Sequence, residues 1–90
     1  MYKLVETKTY MKKLKKFLKK NPQILPKYEK TIVLLENNPY HPSLRLHKLS
    51  GKLQNFYSVS IDMNYRIIVD FIIIEDKIFL IDIGTHDDIY

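Results

Sequence analysis

Three histidines, His41, His47 and His86, together with Arg66 and Tyr90, are the side chains of this ninety-residue sequence best suited to moving protons or holding an anion. Their spacings fit no zinc pattern, and cysteine is absent, so neither thiolate ligation nor a disulfide framework is available. His86, Asp87 and Asp88 form one short run without the convergent geometry a hard cation needs, and the expectation is no metal and no other cofactor. Glycine occurs only at 51 and 84, which leaves no phosphate-cradling loop, and nothing supports a Ser-His-Asp nucleophile. What remains is metal-free acid–base chemistry on a phosphate, drawing on His47, Lys48, Lys52, Tyr65, Arg66, His86 and Tyr90.

RNA can be cut by such a set because it brings its own nucleophile. A base takes the proton of a 2′-OH, the oxygen attacks the neighbouring phosphorus in line, an acid protonates the departing 5′-oxygen, and cations hold the extra phosphate charge. Imidazole serves either proton-transfer role, a guanidinium can donate to two phosphate oxygens, and Tyr57, Tyr65 or Tyr90 offers a ring for an unpaired base. Each group also has a plainer reading. Arg66 can pair with Asp70 or Asp82, a histidine after a strand is commonly a turn residue, and seven tyrosines can be ordinary strand and core residues.

Elements must bring these groups together. Residues 1–30 carry ten lysines against Glu6 and Glu29, whereas residues 61–90 carry seven acids against Arg66 and Lys77. A basic half joined to an acidic end suits a polyanion or an acidic protein partner, although a solvated lysine-rich helix face would look the same. Tyr2 to Glu6 alternates like a half-buried strand, and Thr7 or Thr9 can cap a helix whose apolar stripe is Met11, Leu14, Phe17 and Leu18. Asn21-Pro22 ends that helix. A second runs from Pro26 along Leu25, Tyr28, Ile32 and Leu35 to a stop at Asn37-Asn38-Pro39. Thereafter the period is two: a short strand over 45–49, a turn at Ser50-Gly51, a strand over 56–61, and a hairpin of 65–74 with 77–83 across Glu75-Asp76.

The order β-αα-ββββ predicts an α+β fold, an antiparallel helix pair on one face of a mainly antiparallel twisted sheet, as a single domain over 1–90. On the Tyr65 strand, Tyr65, Ile67, Val69 and Phe71 should meet the helices, leaving Arg66, Ile68 and Asp70 on the open face with Asp82 from the next strand. Gly84 is expected to let the chain leave the sheet so that His86 turns back toward Arg66 and His47. No apolar run approaches a membrane span and no secretory signal is recognisable, which predicts a cytoplasmic protein.

In this order the elements resemble the RelE/ParE superfamily of type II toxin–antitoxin toxins. The likeness spans nearly the whole chain through the lysine-rich helix pair, "HPSLRLHKLSGKLQNFYSVSI" at 41–61, "YRIIVDF" at 65–71 and "LIDIGTHDDIY" at 80–90. The last stretch looks most like the YafQ-like branch. The resemblance implies an endoribonuclease that cuts mRNA on the ribosome, with His86 and His47 as active-site histidines, Arg66 on the scissile phosphate and Tyr90 near an aromatic position. It further implies phosphate contacts from Lys48 and Lys52, contacts to RNA from Lys12, Lys13, Lys16 and Tyr65, and a small antitoxin as partner. Departures are Ser60 where a third histidine is usual and Asn64-Tyr65 where an aspartate precedes an aromatic. The superfamily also holds gyrase inhibitors, and a non-catalytic antitoxin-binding module would keep the same fold.

Overall fold

Thr7 starts the first helix. Its backbone is extended, and its hydroxyl accepts the Tyr10 backbone N–H at 3.1 Å, which satisfies one of the four donors that a helix start leaves open. The computed structural model describes residues 1–72 and 75–85, and its elements are β1 (Lys3–Glu6), α1 (Lys8–Lys20), α2 (Leu25–Asn37), β2 (His47–Lys48), β3 (Tyr57–Ser60), β4 (Tyr65–Ile72) and β5 (Lys77–Thr85). This is the α+β architecture that the sequence predicts. Asn21 closes α1 with its backbone N–H on Phe17 O, and Pro22–Ile24 forms a single tight turn into α2, where a proline occupies the first helical turn.

The expected Leu14, Phe17, Tyr28 and Leu35 do face the core, but each stripe begins one residue early. Tyr10 and Ile24 are fully buried or nearly so, whereas Met11 is 53% exposed and Leu25 is 42% exposed. Tyr10, Leu14, Phe17 and Asn21 recur at four, three and four residues, the spacing that keeps one helix face inward. The Tyr10 hydroxyl meets the Tyr28 hydroxyl at 2.8 Å, so the two helices are joined by a buried polar contact inside the apolar layer. Desolvation raises both phenols, Tyr28 to about 12.

The sheet runs β1-β5-β4-β3-β2, with β1 parallel to β5 and the other three pairs antiparallel. Val59, Ile67, Val69, Ile78, Leu80 and Ile83 form its inner face against Tyr10, Tyr28 and Leu35. Tyr65 and Phe71 pack on this layer, as the alternation requires. The hairpin turns at Glu75-Asp76, where Asp76 takes a left-handed φ of 51° that aspartate tolerates better than bulkier residues. Beside it, Lys77 holds Glu75 at 2.8 Å and lowers its carboxyl below the usual range.

Three boundaries differ from expectation. Strand β2 keeps only two of the five residues over 45–49, because Pro42–Leu44 forms a helical turn anchored by buried Leu44 and Arg45 follows with φ at 48°. At the next turn, Gly51 carries a φ of 67° and opens a short helical segment over Gly51–Leu53. Strand β5 runs through Gly84 to Thr85, so Gly84 lies inside the sheet opposite Arg66 and is not the point where the chain leaves it.

Candidate active site

Because Ile67 and Val69 face the helices, their neighbours Arg66 and Ile68 face the other way. Cross-strand partners share a face, and the register therefore lays out two rows on the open side. His47, Ser58 and Ile68 form one; Ser60, Arg66 and Gly84 form the next. From His47 to Arg66 the step is two strands across and two residues along, roughly 12 Å between Cα atoms at ordinary sheet spacings. Both side chains are long enough to approach one group placed between them.

Arg66 is half-buried, and its Nε is fully buried with no hydrogen-bond partner. The expected ion pairs to Asp70 and Asp82 do not form; among the described residues Arg66 makes no salt bridge. A guanidinium left without a carboxylate keeps its fork of donors for another anion. Its row neighbours are small: Gly84 brings no side chain, and Ser60 is only 7% exposed with its hydroxyl donating to Asp62 O at 2.6 Å.

His47 is exposed on the sheet-edge strand, with Nδ1 at 3.0 Å from the Arg45 carbonyl. A carbonyl can only accept, so Nδ1 carries the proton and Nε2 is the basic atom of the neutral ring. The left-handed turn at Arg45 is what aims that carbonyl two residues ahead. Ser58, opposite His47, is wholly buried and its hydroxyl finds no partner. Its place between the histidine and the arginine follows from period-two alternation, a signal present in the sequence that the charged residues overshadow.

Other candidates lie elsewhere. Lys48 pairs with Tyr57, whose ring packs edge-on to Phe71 on the helix side, so Lys48 leaves β2 on the side opposite His47. Lys52 is exposed on the Gly51–Leu53 turn. Tyr65 is on the helix side as well, edge-on to Phe17 at 5.1 Å, with its hydroxyl donating to Asn21 Oδ1 at 3.0 Å. Asp82 is the register partner of Ile68, but its carboxylate does not pair with Arg66. A bulge at Ile81 shifts the strand phase, and its carboxylate accepts the Ile83 N–H at 2.8 Å and pairs with Lys13 at 3.3 Å. Lys12 and Lys16 are exposed on α1, Lys16 beside Lys13 and Lys12 on a different side of the helix. His86 and Tyr90, with Asp87 and Asp88, lie outside the described residues; β5 is described as far as Thr85, opposite Tyr65 and next to the Arg66–Gly84 pair. His41 accepts from the Ser43 N–H and lies 2.8 Å from its hydroxyl, a local turn contact.

Known proteins place this geometry. Solved structures similar over the whole fold include YafQ from E. coli strain BL21(DE3), with 15% identity, a TM-score of 0.79 and coverage of 100% of this chain and 99% of that one. A metal-bound toxin from Helicobacter pylori matches with 23% identity and a TM-score of 0.73 across 100% of both chains. YafQ in the E. coli DinJ-YafQ toxin-antitoxin complex matches with 18% identity and a TM-score of 0.77, covering 99% of this chain and 97% of that one. Among the described residues here, no three His, Asp or Glu side chains group as metal ligands would. No curated protein sequence matches the chain. The profile of the family described as "Bacterial toxin of type II toxin-antitoxin system, YafQ" matches residues 2–90, and the chain therefore belongs to the YafQ toxin family.

Proposed function

We propose that this toxin is a ribosome-dependent mRNA endoribonuclease that cleaves through the RNA 2′-OH without a metal. The observation that carries the reading is the shared open face of His47 and Arg66, with β5 reaching Thr85 beside them. In the proposed reaction Nε2 of His47 takes the 2′-OH proton and the 2′-oxygen attacks phosphorus. The bond to the 5′-oxygen breaks as His86 protonates it, leaving a 2′,3′-cyclic phosphate and a 5′-hydroxyl. Arg66 donates to the phosphate oxygens as charge builds on them, and Tyr90 bears on the neighbouring base. Lys52 holds a flanking phosphate, and the ribosome presents the message in the orientation that weak intrinsic acid–base groups require.

An antitoxin is the natural protein partner, as in the DinJ-YafQ complex of E. coli, and an acidic, flexible segment would suit this chain's basic half. Replacing His86 by Gln tests the catalytic assignment. Growth arrest on induction should disappear while antitoxin binding persists. Full arrest in that variant would remove His86 from the mechanism.

A further inference from the structure

On the helix side of the sheet a second feature faces the same strand ends. A groove of about 370 Å³ runs between α1 and the end of β5, walled by Lys13, Lys16, Lys20, Asn21, Tyr65 and Asp82. The three lysines follow one another at three and four residues, so they share one side of the helix along about 10 Å of its axis. Among the described residues Asp82 is the one carboxylate in the lining, and it is already committed to Lys13 and to the Ile83 N–H. Lys16 and Lys20 make no ion pair among the described residues. The carbonyl end of α1 contributes roughly half a negative charge here, which these ammonium groups outweigh.

The aromatic wall is fixed before any ligand arrives. Tyr65 is wedged edge-on to Phe17, and its hydroxyl is tied to Asn21, whose amide in turn donates to Phe17 O at 3.0 Å. A held ring beside exposed lysines is the composition that receives single-stranded nucleic acid, one base on the ring and a phosphate on the lysines. The volume is at the small end of ligand sites, enough for about one nucleotide. Tyr65 and Arg66 are consecutive residues on opposite faces, so a strand with one phosphate at Arg66 needs only to cross the sheet end to enter the groove.

We infer that this groove binds a nucleotide flanking the cleaved one, with its phosphate on Lys16 and Lys20 and its base against Tyr65. The inference rests on the nuclease reading for its RNA, yet it is separable from it by using an RNA that cannot be cut. Binding of a fluorescein-labelled 2′-O-methyl uridine hexamer to the full chain is followed by anisotropy across salt concentrations. Lys16→Gln with Lys20→Gln should weaken binding about tenfold or more and reduce the slope of log affinity against log salt by about 0.7, the value for one single-strand phosphate contact. Tyr65→Leu should cost at least about fivefold where Tyr65→Phe costs under about twofold, in variants whose thermal melts stay cooperative. An unchanged salt slope in the double lysine variant overturns the groove, even if mRNA cleavage is normal. Equal displacement of the hexamer by a deca-glutamate peptide also overturns it, because the site would then be a general anion or acidic-protein surface. Hexamer binding with these losses, in a protein that never cleaves mRNA, would uphold the groove and refute the nuclease.

Discussion

Arg66 concentrates the chemistry at the scale of single residues. Burying one guanidinium nitrogen without a partner is costly, and Arg66 carries that cost at its Nε in a half-buried position. Lysine would keep the charge and lose the planar pair of donors. Arg66→Lys should therefore lower the single-turnover cleavage rate on programmed ribosomes by roughly 10- to 150-fold, the equivalent of one charge-assisted hydrogen bond of about 1.5–3 kcal/mol. A rate within twofold of the parent would mean that Arg66 acts only as a diffuse positive charge. The placement of Arg66 on the face turned away from the helices was legible from period-two alternation. That Arg66 would go without Asp70 and Asp82 was not, because a single-residue bulge at Ile81 decides where Asp82 points, and bulges leave no mark in a periodic pattern.

Among the elements, the helix pair was readable because the Thr7 cap, the prolines and the apolar period agree, and the β4–β5 hairpin because two apolar runs flank the polar Glu75-Asp76. Helix phase was readable at Leu14, Phe17, Tyr28 and Leu35 but not at the first position of each stripe, where Tyr10 and Ile24 are buried instead of Met11 and Leu25 and the Tyr10 hydroxyl meets that of Tyr28. This hydroxyl pair should also set an alkaline limit on stability. Burial raises the Tyr28 phenol to about 12 and Tyr10 further still, whereas both titrate near 10 when unfolded. The protonated forms are the ones the fold retains, so their contribution is intact below about pH 10 and is lost as pH rises from there through the folded values. Urea midpoints should hold steady up to about pH 10 and fall between pH 10 and 12. Tyr10→Phe should cost about 1–2 kcal/mol at pH 7, since it leaves the Tyr28 hydroxyl buried without its partner. A flat midpoint through pH 12 in the parent would contradict the buried pair.

Across the whole molecule the parallel seating of β1 beside β5 brings the start of α1 over the sheet and sets its lysines along the strand that reaches Thr85. Nothing in the local sequence of Tyr2 to Glu6 names β5 as its neighbour; the choice belongs to the closed set of strand pairings. The consequence is a division of labour between two faces that meet at one end of the sheet. The open side carries His47 and Arg66, and the helix side carries the lysine-lined groove. No helix among the described residues is long and apolar enough to cross a membrane, and the charge imbalance of the chain is left for a polyanionic target or an acidic partner.

The central claim is that the message supplies the nucleophile. It is tested by placing a single 2′-deoxynucleotide on the 5′ side of the scissile phosphate in an mRNA bound to ribosomes, then analysing the fragments made by this toxin. Cleavage of the all-ribose message should leave a cyclic or 3′-phosphate and a 5′-hydroxyl, and the deoxy message should survive intact. Equal cutting of the deoxy message, or fragments ending in a 5′-phosphate, would contradict the account.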